Sequence, residues 1–156
     1  MGHANINIRK AVKGDLKTLV RLEQICFDKE RFSSRQINYL ITRSSGSFLV
    51  LTENGQLAAF IVLLTRKTAL GARIYSLAVS PGFRGKNYGV TLLEKAVELA
   101  LKAGKKLLSL EVSEKNTAAI QLYRKFGFQV TGKRKAYYKD GSDALLMSMA
   151  IDTQSI

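Results

Sequence analysis

Apolar residues along this chain switch repeatedly between a spacing of two, typical of strands, and a helical spacing near 3.6. The alternation predicts a mixed α/β (α+β) domain with the element order β-α-α-β-β-β-α-β-α-β-β. The expected strands are 6–11, 47–52, 56–65, 72–80, 106–112, 128–139 and 144–151. The expected helices are 16–27, a short one around 37–41, a long one between residue 88 and Gly104, and 116–126.

Short polar signals separate these segments. Asn54-Gly55 and Asp140-Gly141 each lie between two apolar runs, a pattern that favours a tight β-hairpin. Ser33 or Ser34 is expected to cap the second helix, because a serine hydroxyl accepts a bond from the first turn's N–H groups.

Composition narrows the function classes. The 156 residues, 46% of them hydrophobic, predict one domain over residues 1–156 with an adequate core. A single cysteine, Cys26, and a single histidine, His3, make an internal disulfide, a Cys/His metal cluster or a histidine-based triad unexpected. The longest apolar run, 57–64, is far shorter than the ~20 residues of a membrane span, and no signal peptide is evident. We therefore expect no metal, no membrane partner and a cytoplasmic location.

The chain is strongly basic, with a formal net charge of +13. Residues 105–139 carry nine basic side chains against two acidic ones. Such a field attracts nucleic acid, a phosphorylated cofactor or an acidic protein surface. Charge that only keeps the surface solvated is the alternative interpretation.

The segment between the fourth strand and the long helix offers a candidate anion site. It reads Pro81-Gly82-Phe83-Arg84-Gly85-Lys86-Asn87-Tyr88-Gly89 and runs into a helix N-terminus, where N–H groups lack partners and the helix dipole is positive. Arg84 and Lys86 add charge. The segment is neither a Walker loop nor a dinucleotide fingerprint. A tight strand-to-helix connection without ligand is the alternative.

Two further side chains admit two interpretations each. Glu111 lies on the opposite pleat from Leu110 and Val112, as a solvated strand-face carboxylate would, and it can also accept a proton. Tyr123 falls on a helical apolar stripe, as a core tyrosine would, and it can also donate a proton. Asn116 is a good helix N-cap.

At these positions the sequence resembles the GNAT superfamily of acetyl-CoA-dependent N-acetyltransferases. The family motif Gln/Arg-x-x-Gly-x-Gly/Ala corresponds to Arg84-Gly85-Lys86-Asn87-Tyr88-Gly89, with Asn87 in place of the first glycine. Asparagine tolerates the left-handed backbone region better than other non-glycine residues do. The resemblance extends over about half the chain, through the segments 74–79, 110–112, 116–123 and 126–128, with weaker similarity at 137–138 and 143–144.

The resemblance implies a fold, a cosubstrate and site residues. The fold would be a mixed, mostly antiparallel sheet, splayed near 77–79 and 106–112, with helices on both faces. Acetyl-CoA would be the cosubstrate, with no metal. Its pyrophosphate would bind at Arg84, Gly85, Lys86, Asn87, Tyr88, Gly89 and Val90, and its pantetheine arm at Leu77, Ala78, Val79 and Asn116. A backbone N–H of that strand could stabilise an oxyanion. Glu111 would be the general base and Tyr123 the general acid.

Within the superfamily the chain most resembles RimI-type ribosomal-protein-alanine N-acetyltransferases, which implies the N-terminal α-amine of a protein or peptide as acceptor. The acceptor pocket would involve residues 28–34 and 137–142, with Tyr137-Tyr138 on a late strand as its wall or as ordinary sheet aromatics. A lysine side chain or a small-molecule amine is the alternative acceptor. A more remote alternative is a catalytically impaired module that binds RNA or ribosomes through 105–139.

Overall fold

The structure is a computed structural model that describes residues 5–27, 33–42, 46–67 and 69–152. Its elements follow the predicted order. The strands are β1 (Ile6–Lys10), β2 (Gly46–Glu53), β3 (Gln56–Leu64), β4 (Gly71–Val79), β5 (Leu107–Ser113), β6 (Gln129–Arg134) and β7 (Ala144–Ala150). The helices are α1 (Leu16–Phe27), α2 (Ser34–Thr42), α3 (Tyr88–Lys102) and α4 (Thr117–Phe126), with short 3₁₀ turns at Lys13–Asp15 and Pro81–Phe83.

The strands form one seven-stranded sheet in the order β1-β2-β3-β4-β5-β7-β6. Every neighbouring pair is antiparallel except β4 and β5, which are parallel. Parallel neighbours need a crossover connection, and α3 supplies it. The expected mixed, mostly antiparallel sheet is therefore confirmed.

Both faces of the sheet are covered, as expected. Along β3, Ile61 and Leu63 pack into a core cluster with α3 and α4, whereas Phe60 and Val62 pack into a second cluster with α1 and α2. A strand buried on both faces reads as a continuous apolar run rather than an alternating one, which explains the uninterrupted apolar stretch in β3.

Local signals fix several boundaries. Glu53 pairs with Gln56 across Asn54-Gly55, and both turn residues have positive φ, as a type I′ hairpin requires. Ser33 caps α2: its Oγ accepts from the Gln36 N–H at 3.2 Å, while the Gln36 side chain accepts from the Ser33 N–H at 2.8 Å.

The prediction of a strand to residue 139 with a tight hairpin at Asp140-Gly141 is wrong. β6 ends at Arg134, and a wide loop joins it to β7. The chain turns at Ala136, whose φ is +49° and whose N–H donates to the Asp143 carboxylate at 2.8 Å. The Asp-Gly turn forms inside that loop, where Asp140 accepts from the Ser142 N–H at 2.9 Å. Tyr137 and Tyr138 consequently lie on a loop and not on a strand.

None of the helices within the described ranges has both the length and the apolar character that crossing a membrane requires.

An ion pair fastens β1 to the start of α1. Arg9 donates to both oxygens of Asp15, at 2.8 and 2.9 Å, and Asp15 also accepts from the Val12 N–H at 2.8 Å. The bond from Arg9 lowers the pKa of Asp15. A lowered folded-state pKa means that the pair's stabilisation is present above the unfolded pKa near ~3.9 and is lost as the pH falls through the folded value.

We therefore expect Asp15→Asn to lower the free energy of unfolding by about 1–2 kcal/mol at pH 7. The difference from wild type should shrink below about pH 4. Urea unfolding at both pH values measures this, with Glu94→Gln, a change at an exposed carboxylate on α3, as the control. An equal loss at both pH values would contradict the assignment.

Candidate active site

A cleft opens where β4 and β5 separate. The two strands are in register only from Gly71–Leu107 to Ile74–Leu110, after which they diverge. The cleft measures about 590 Å³. Its lining comes from α1, β4, β5, α4 and the 135–143 loop: Glu23, Cys26, Phe27, Arg73, Ile74, Tyr75, Ser76, Leu77, Leu110, Glu111, Val112, Ser113, Asn116, Ala119, Tyr123, Tyr137, Tyr138 and Lys139. The predicted splay is therefore confirmed.

A β-bulge explains the divergence. Val62 of β3 pairs with Ser76, while the next residue, Leu63, pairs with Ile74, so Tyr75 is the extra residue in β4. A bulge bends its strand and increases the local twist. The bend turns the second half of β4 away from β5.

Beyond the bulge, no strand of the described residues pairs with the edge of β4 that faces β5. The Ser80 N–H donates to the Ala58 carbonyl at 2.8 Å, so this pair is hydrogen-bonded. Because bonded and non-bonded pairs alternate along antiparallel strands, Ala78 is the next residue of β4 that bonds to β3. The N–H and C=O groups of Leu77 and Val79 face the opposite edge, toward the divergence. Of the three predicted strand residues, only Leu77 and Val79 therefore present main-chain groups at the open edge.

Arg84 covers one of those groups. Its Nε donates to the Val79 carbonyl at 3.1 Å, and its terminal nitrogen lies 3.8 Å from the Cys26 thiol. Burial raises the pKa of that thiol, despite the nearby guanidinium. The Arg84 side chain thus bridges α1 and the end of β4.

The loop after β4 presents a run of free N–H groups at the start of α3. Within the described part of the chain, no hydrogen-bond acceptor serves the main-chain N–H groups of residues 85–90, whereas Thr91 bonds to the Asn87 carbonyl at 3.0 Å. Gly85 has a φ of +83° and Asn87 a φ of +62°. Asn87 therefore lies in the left-handed region, which asparagine tolerates better than other non-glycine residues do.

Lys86 forms an ion pair with an acidic residue of β2. Its Nζ lies 2.7 Å from Glu53, which also accepts a hydrogen bond from the Tyr88 hydroxyl. That bond raises the pKa of Tyr88 to about 12. The two contacts fasten the loop to β2 and neutralise much of the charge that Lys86 brings.

Gly89 allows the start of α3 to approach α4 closely. A Cβ built on Gly89 would lie 3.1 Å from a methyl group of Leu122 on α4 and 4.0 Å from one of Val79 on β4. The distances leave little room for a side chain between these three elements.

We expect Asn87→Ala to lower the free energy of unfolding by about 1 kcal/mol, because alanine pays the full cost of the left-handed region. Asn87→Gly should change it less, since glycine adopts positive φ freely but loses more entropy on folding. Chemical denaturation of the three proteins measures the order. Equal stability of the alanine and glycine variants would mean that the conformation carries no strain.

Glu111 lies on β5 as predicted, on the opposite pleat from the buried Leu110 and Val112. Its side chain is only 12% exposed, so the solvated-carboxylate interpretation is wrong. Glu111 Oε1 lies 3.4 Å from a terminal nitrogen of Arg73 and 3.9 Å from Nε of Arg134. The hydroxyl of Tyr137 also interacts with Glu111, and this interaction raises the pKa of Tyr137.

Tyr123 is a core tyrosine, as its helical stripe predicts, and it also borders the cleft. Its side chain is part of the core, with its ring edge-on to Phe128 at 5.7 Å between centroids, and it also lines the cleft. Burial raises the pKa of its phenol, and Tyr138 adds to the effect. The hydroxyl therefore stays protonated at neutral pH. Asn116 caps α4 by accepting from the Ala119 N–H at 3.2 Å, as predicted.

Sequence reasoning missed two charged residues in the cleft. Glu23 on α1 is 2% exposed, and its carboxylate accepts from the Ser76 hydroxyl at 3.4 Å. A carboxylate on the apolar stripe of an amphipathic helix was the available signal. Arg73 carried no signal, because its proximity to Glu111 follows only from strand pairing. Of the predicted acceptor loop 28–34, residues 28–32 lie outside the described residues.

Fewer cations of the basic segment 105–139 are available to a binding partner than its composition suggests. Lys105 is buried and donates to the Ala69 carbonyl at 2.7 Å. Lys133 pairs with Asp143 at 3.2 Å, and Lys115 pairs with Asp140 at 3.3 Å. Several of its cations therefore have structural partners.

Known proteins share this architecture and sequence. Residues 16–128 match the acetyltransferase (GNAT) family. A Bacillus subtilis (strain 168) protein with the provisional name ribosomal protein bS18-alanine N-acetyltransferase is 34% identical over 139 residues, which cover 88% of this chain and 91% of that protein.

Solved structures agree. Ard1 from Thermoplasma volcanium superimposes with a TM-score of 0.87 at 30% identity, covering 94% of this chain and 98% of that one. The ribosomal-protein-S18-alanine N-acetyltransferase from Escherichia coli gives a TM-score of 0.83 at 29% identity, covering 96% of each chain. With a splayed sheet, a strand-to-helix loop rich in free amides and these relatives, the chain belongs to the GNAT family of acetyltransferases.

Proposed function

We propose that this acetyltransferase transfers an acetyl group from acetyl-CoA to the N-terminal α-amine of a protein, with a ribosomal protein as the favoured class of acceptor. The observation that carries the proposal is that one cleft brings together a largely buried carboxylate, Glu111, and a buried, protonated phenol, Tyr123. Acyl transfer to an amine needs one group to take a proton and another to give one.

The loop at the start of α3 fits a diphosphate. The free N–H groups of residues 85–90 and the positive end of the helix favour an anion. Gly85, Asn87, Tyr88, Gly89 and Val90 would contribute main-chain groups. Arg84 and Lys86 would add charge, although each already has a protein partner.

The open edge of β4 fits the rest of the cosubstrate. Main-chain groups of Leu77 and Val79 lack a strand partner there, so an extended amide-bearing arm could bond to them. Ala78 lies between them, and its main-chain groups face β3 instead of the open edge. Among the described residues, no acceptor takes a hydrogen bond from the side-chain amide nitrogen of Asn116, since the helix cap uses only Oδ1, so this nitrogen could donate to such an arm.

Each site residue then has one task. Acetyl-CoA supplies the acetyl group as a reactive thioester. Glu111 takes the proton that an α-ammonium must lose before its nitrogen can attack. Tyr123 holds the proton that the leaving thiolate needs. A main-chain N–H of Leu77 or Val79 stabilises the negative charge that develops on the carbonyl oxygen.

The acceptor class rests on the relatives and on the cleft. The Bacillus subtilis and Escherichia coli proteins described above are named for alanine acetylation of a ribosomal protein. Tyr137 and Tyr138 line the cleft opposite α1, where an extended peptide could lie between them and the sheet. A ribosomal acceptor would place the protein in the cytoplasm, and its remaining positive charge would favour association with the ribosome.

A peptide with a free N-terminal alanine and one internal lysine tests the proposal. After incubation with acetyl-CoA, mass spectrometry should find one acetyl group, and fragmentation should place it on the α-amine. The same peptide with a blocked N-terminus is the control and should stay unmodified. Acetylation of the lysine in both peptides would point to side-chain amines. Absence of both transfer and acetyl-CoA-dependent thermal stabilisation would favour a catalytically impaired binding module.

A further inference from the structure

Arg73 occupies a position in the cleft that the proposed reaction does not use. It lies on β4 opposite Ser109, on the same face of the sheet as Glu111. Its guanidinium lies 5.3 Å above the centre of the Tyr75 ring, which steadies it beside the cleft. The side chain is 41% exposed, so part of the guanidinium remains accessible from the cleft.

The Arg73–Glu111 pair leaves hydrogen-bonding capacity unused on both sides. Within the described residues, Nε of Arg73 is a buried donor without an acceptor, and Oε2 of Glu111 is a buried acceptor without a donor. The pair itself meets at 3.4 Å through one terminal nitrogen and Oε1. Buried polar atoms without partners are rare because each costs free energy. Here the spare donor and the spare acceptor belong to two side chains that meet in one cleft.

A peptide N-terminus has the complementary pattern. Its amine donates hydrogen bonds, and the carbonyl oxygen of the same residue accepts them two carbon atoms away. The amine of a lysine side chain has no carbonyl at that distance. Resting on the proposed function, we propose that Arg73 determines specificity by donating to the carbonyl oxygen of the first acceptor residue while Glu111 receives its amine.

The test compares two substrates that differ at that carbonyl. One is a peptide with a free N-terminal alanine; the other replaces its first peptide bond with an E-alkene isostere, which keeps the shape and the amine but removes the carbonyl oxygen together with the amide N–H. The ratio is kcat/KM for the peptide divided by kcat/KM for the isostere, and it measures how strongly the carbonyl is recognised. The loss of the N–H is the same for every variant, so the change of the ratio between variants reports on the contact made by Arg73. Arg73→Gln should reduce the wild-type ratio about 10- to 100-fold.

Two further variants separate recognition from charge and from folding. Arg73→Lys keeps a positive charge beside Glu111 but loses Nε–H and the planar fork, so it should also reduce the ratio. Arg134→Gln removes the other guanidinium near Glu111, since Nε of Arg134 lies 3.9 Å from Glu111 Oε1. This variant should leave the ratio within about 3-fold of wild type. Thermal melting confirms that each protein is folded.

The outcomes distinguish the two proposals. Wild-type protein that acetylates the peptide, with a ratio unchanged by both Arg73 variants, overturns the role of Arg73 and leaves the proposed function intact. An equal reduction in Arg134→Gln shows a general effect of charge and also overturns it. Wild-type protein that acetylates no peptide α-amine overturns the proposed function itself, and the role of Arg73 with it.

Discussion

Glu111→Gln is expected to turn over about 10²- to 10⁴-fold more slowly than the wild-type protein, because glutamine cannot take the proton from an α-ammonium. The fold should persist, since glutamine has nearly the same shape and Glu111 sits at the margin of the core rather than within it. Steady-state kinetics with an alanine-starting peptide measures the loss, which should fall on kcat and leave the KM for acetyl-CoA unchanged.

The pH dependence sharpens this result. Raising the pH toward and beyond the ordinary α-amine pKa of about 8 supplies free amine without a general base, so the defect of Glu111→Gln should narrow. Glu114→Gln is the matched control, because Glu114 lies just beyond the same strand and pairs with Lys133 at 3.7 Å outside the cleft. Wild-type turnover in Glu111→Gln would remove this residue from the mechanism.

Tyr123→Phe is expected to lower kcat by about 10²-fold or more, because the ring then has no proton for the leaving thiolate. The packing of the ring against Phe128 survives the change, so the melting temperature should stay close to that of wild type. Acetyl-CoA should still raise the melting temperature of the variant, which shows that the donor binds and that the loss lies in turnover.

The raised pKa of Tyr123 adds a condition on the wild-type pH profile. An ordinary tyrosine titrates near pH 10, and burial moves the Tyr123 phenol above that value. Deprotonation of Tyr123 should therefore not lower wild-type activity below about pH 10. Any decline seen below that pH should also be present in Tyr123→Phe. Tyr39→Phe, a change at an exposed tyrosine on α2, controls for loss of a hydroxyl. Unchanged kcat in Tyr123→Phe would overturn the acid assignment.

Much of the fold follows from local patterns in the sequence. The change of apolar period identifies every strand and helix, and the Asn54-Gly55 turn and the Ser33 cap act through neighbours in sequence. Such features depend on a few adjacent residues, so the amino-acid order alone determines them. Asn87 also adopts a left-handed backbone, which its residue type tolerates but does not by itself predict.

Other features depend on contacts between distant segments. The Asp140-Gly141 pair predicts a tight turn, yet the hydrogen bond from Ala136 to Asp143 closes a wider loop, in which Tyr137 lines the cleft. Arg73 and Glu111 are neighbours only because a parallel pairing places β4 beside β5. No periodicity records such a pairing. The cleft's second carboxylate, Glu23, did leave a local signal, because it is an acidic residue on the apolar stripe of α1.

Gly89 lies so close to Leu122 and Val79 that the size of the residue at this position helps to set the width of the cleft. α4 carries Tyr123 and is capped by Asn116, so we expect a side chain at position 89 to push α4, and the phenol with it, away from the β4 edge. Glycine at this position therefore sets the spacing between the proton donor and the strand in addition to freeing an amide. Any redesign of the cleft would have to start from this contact.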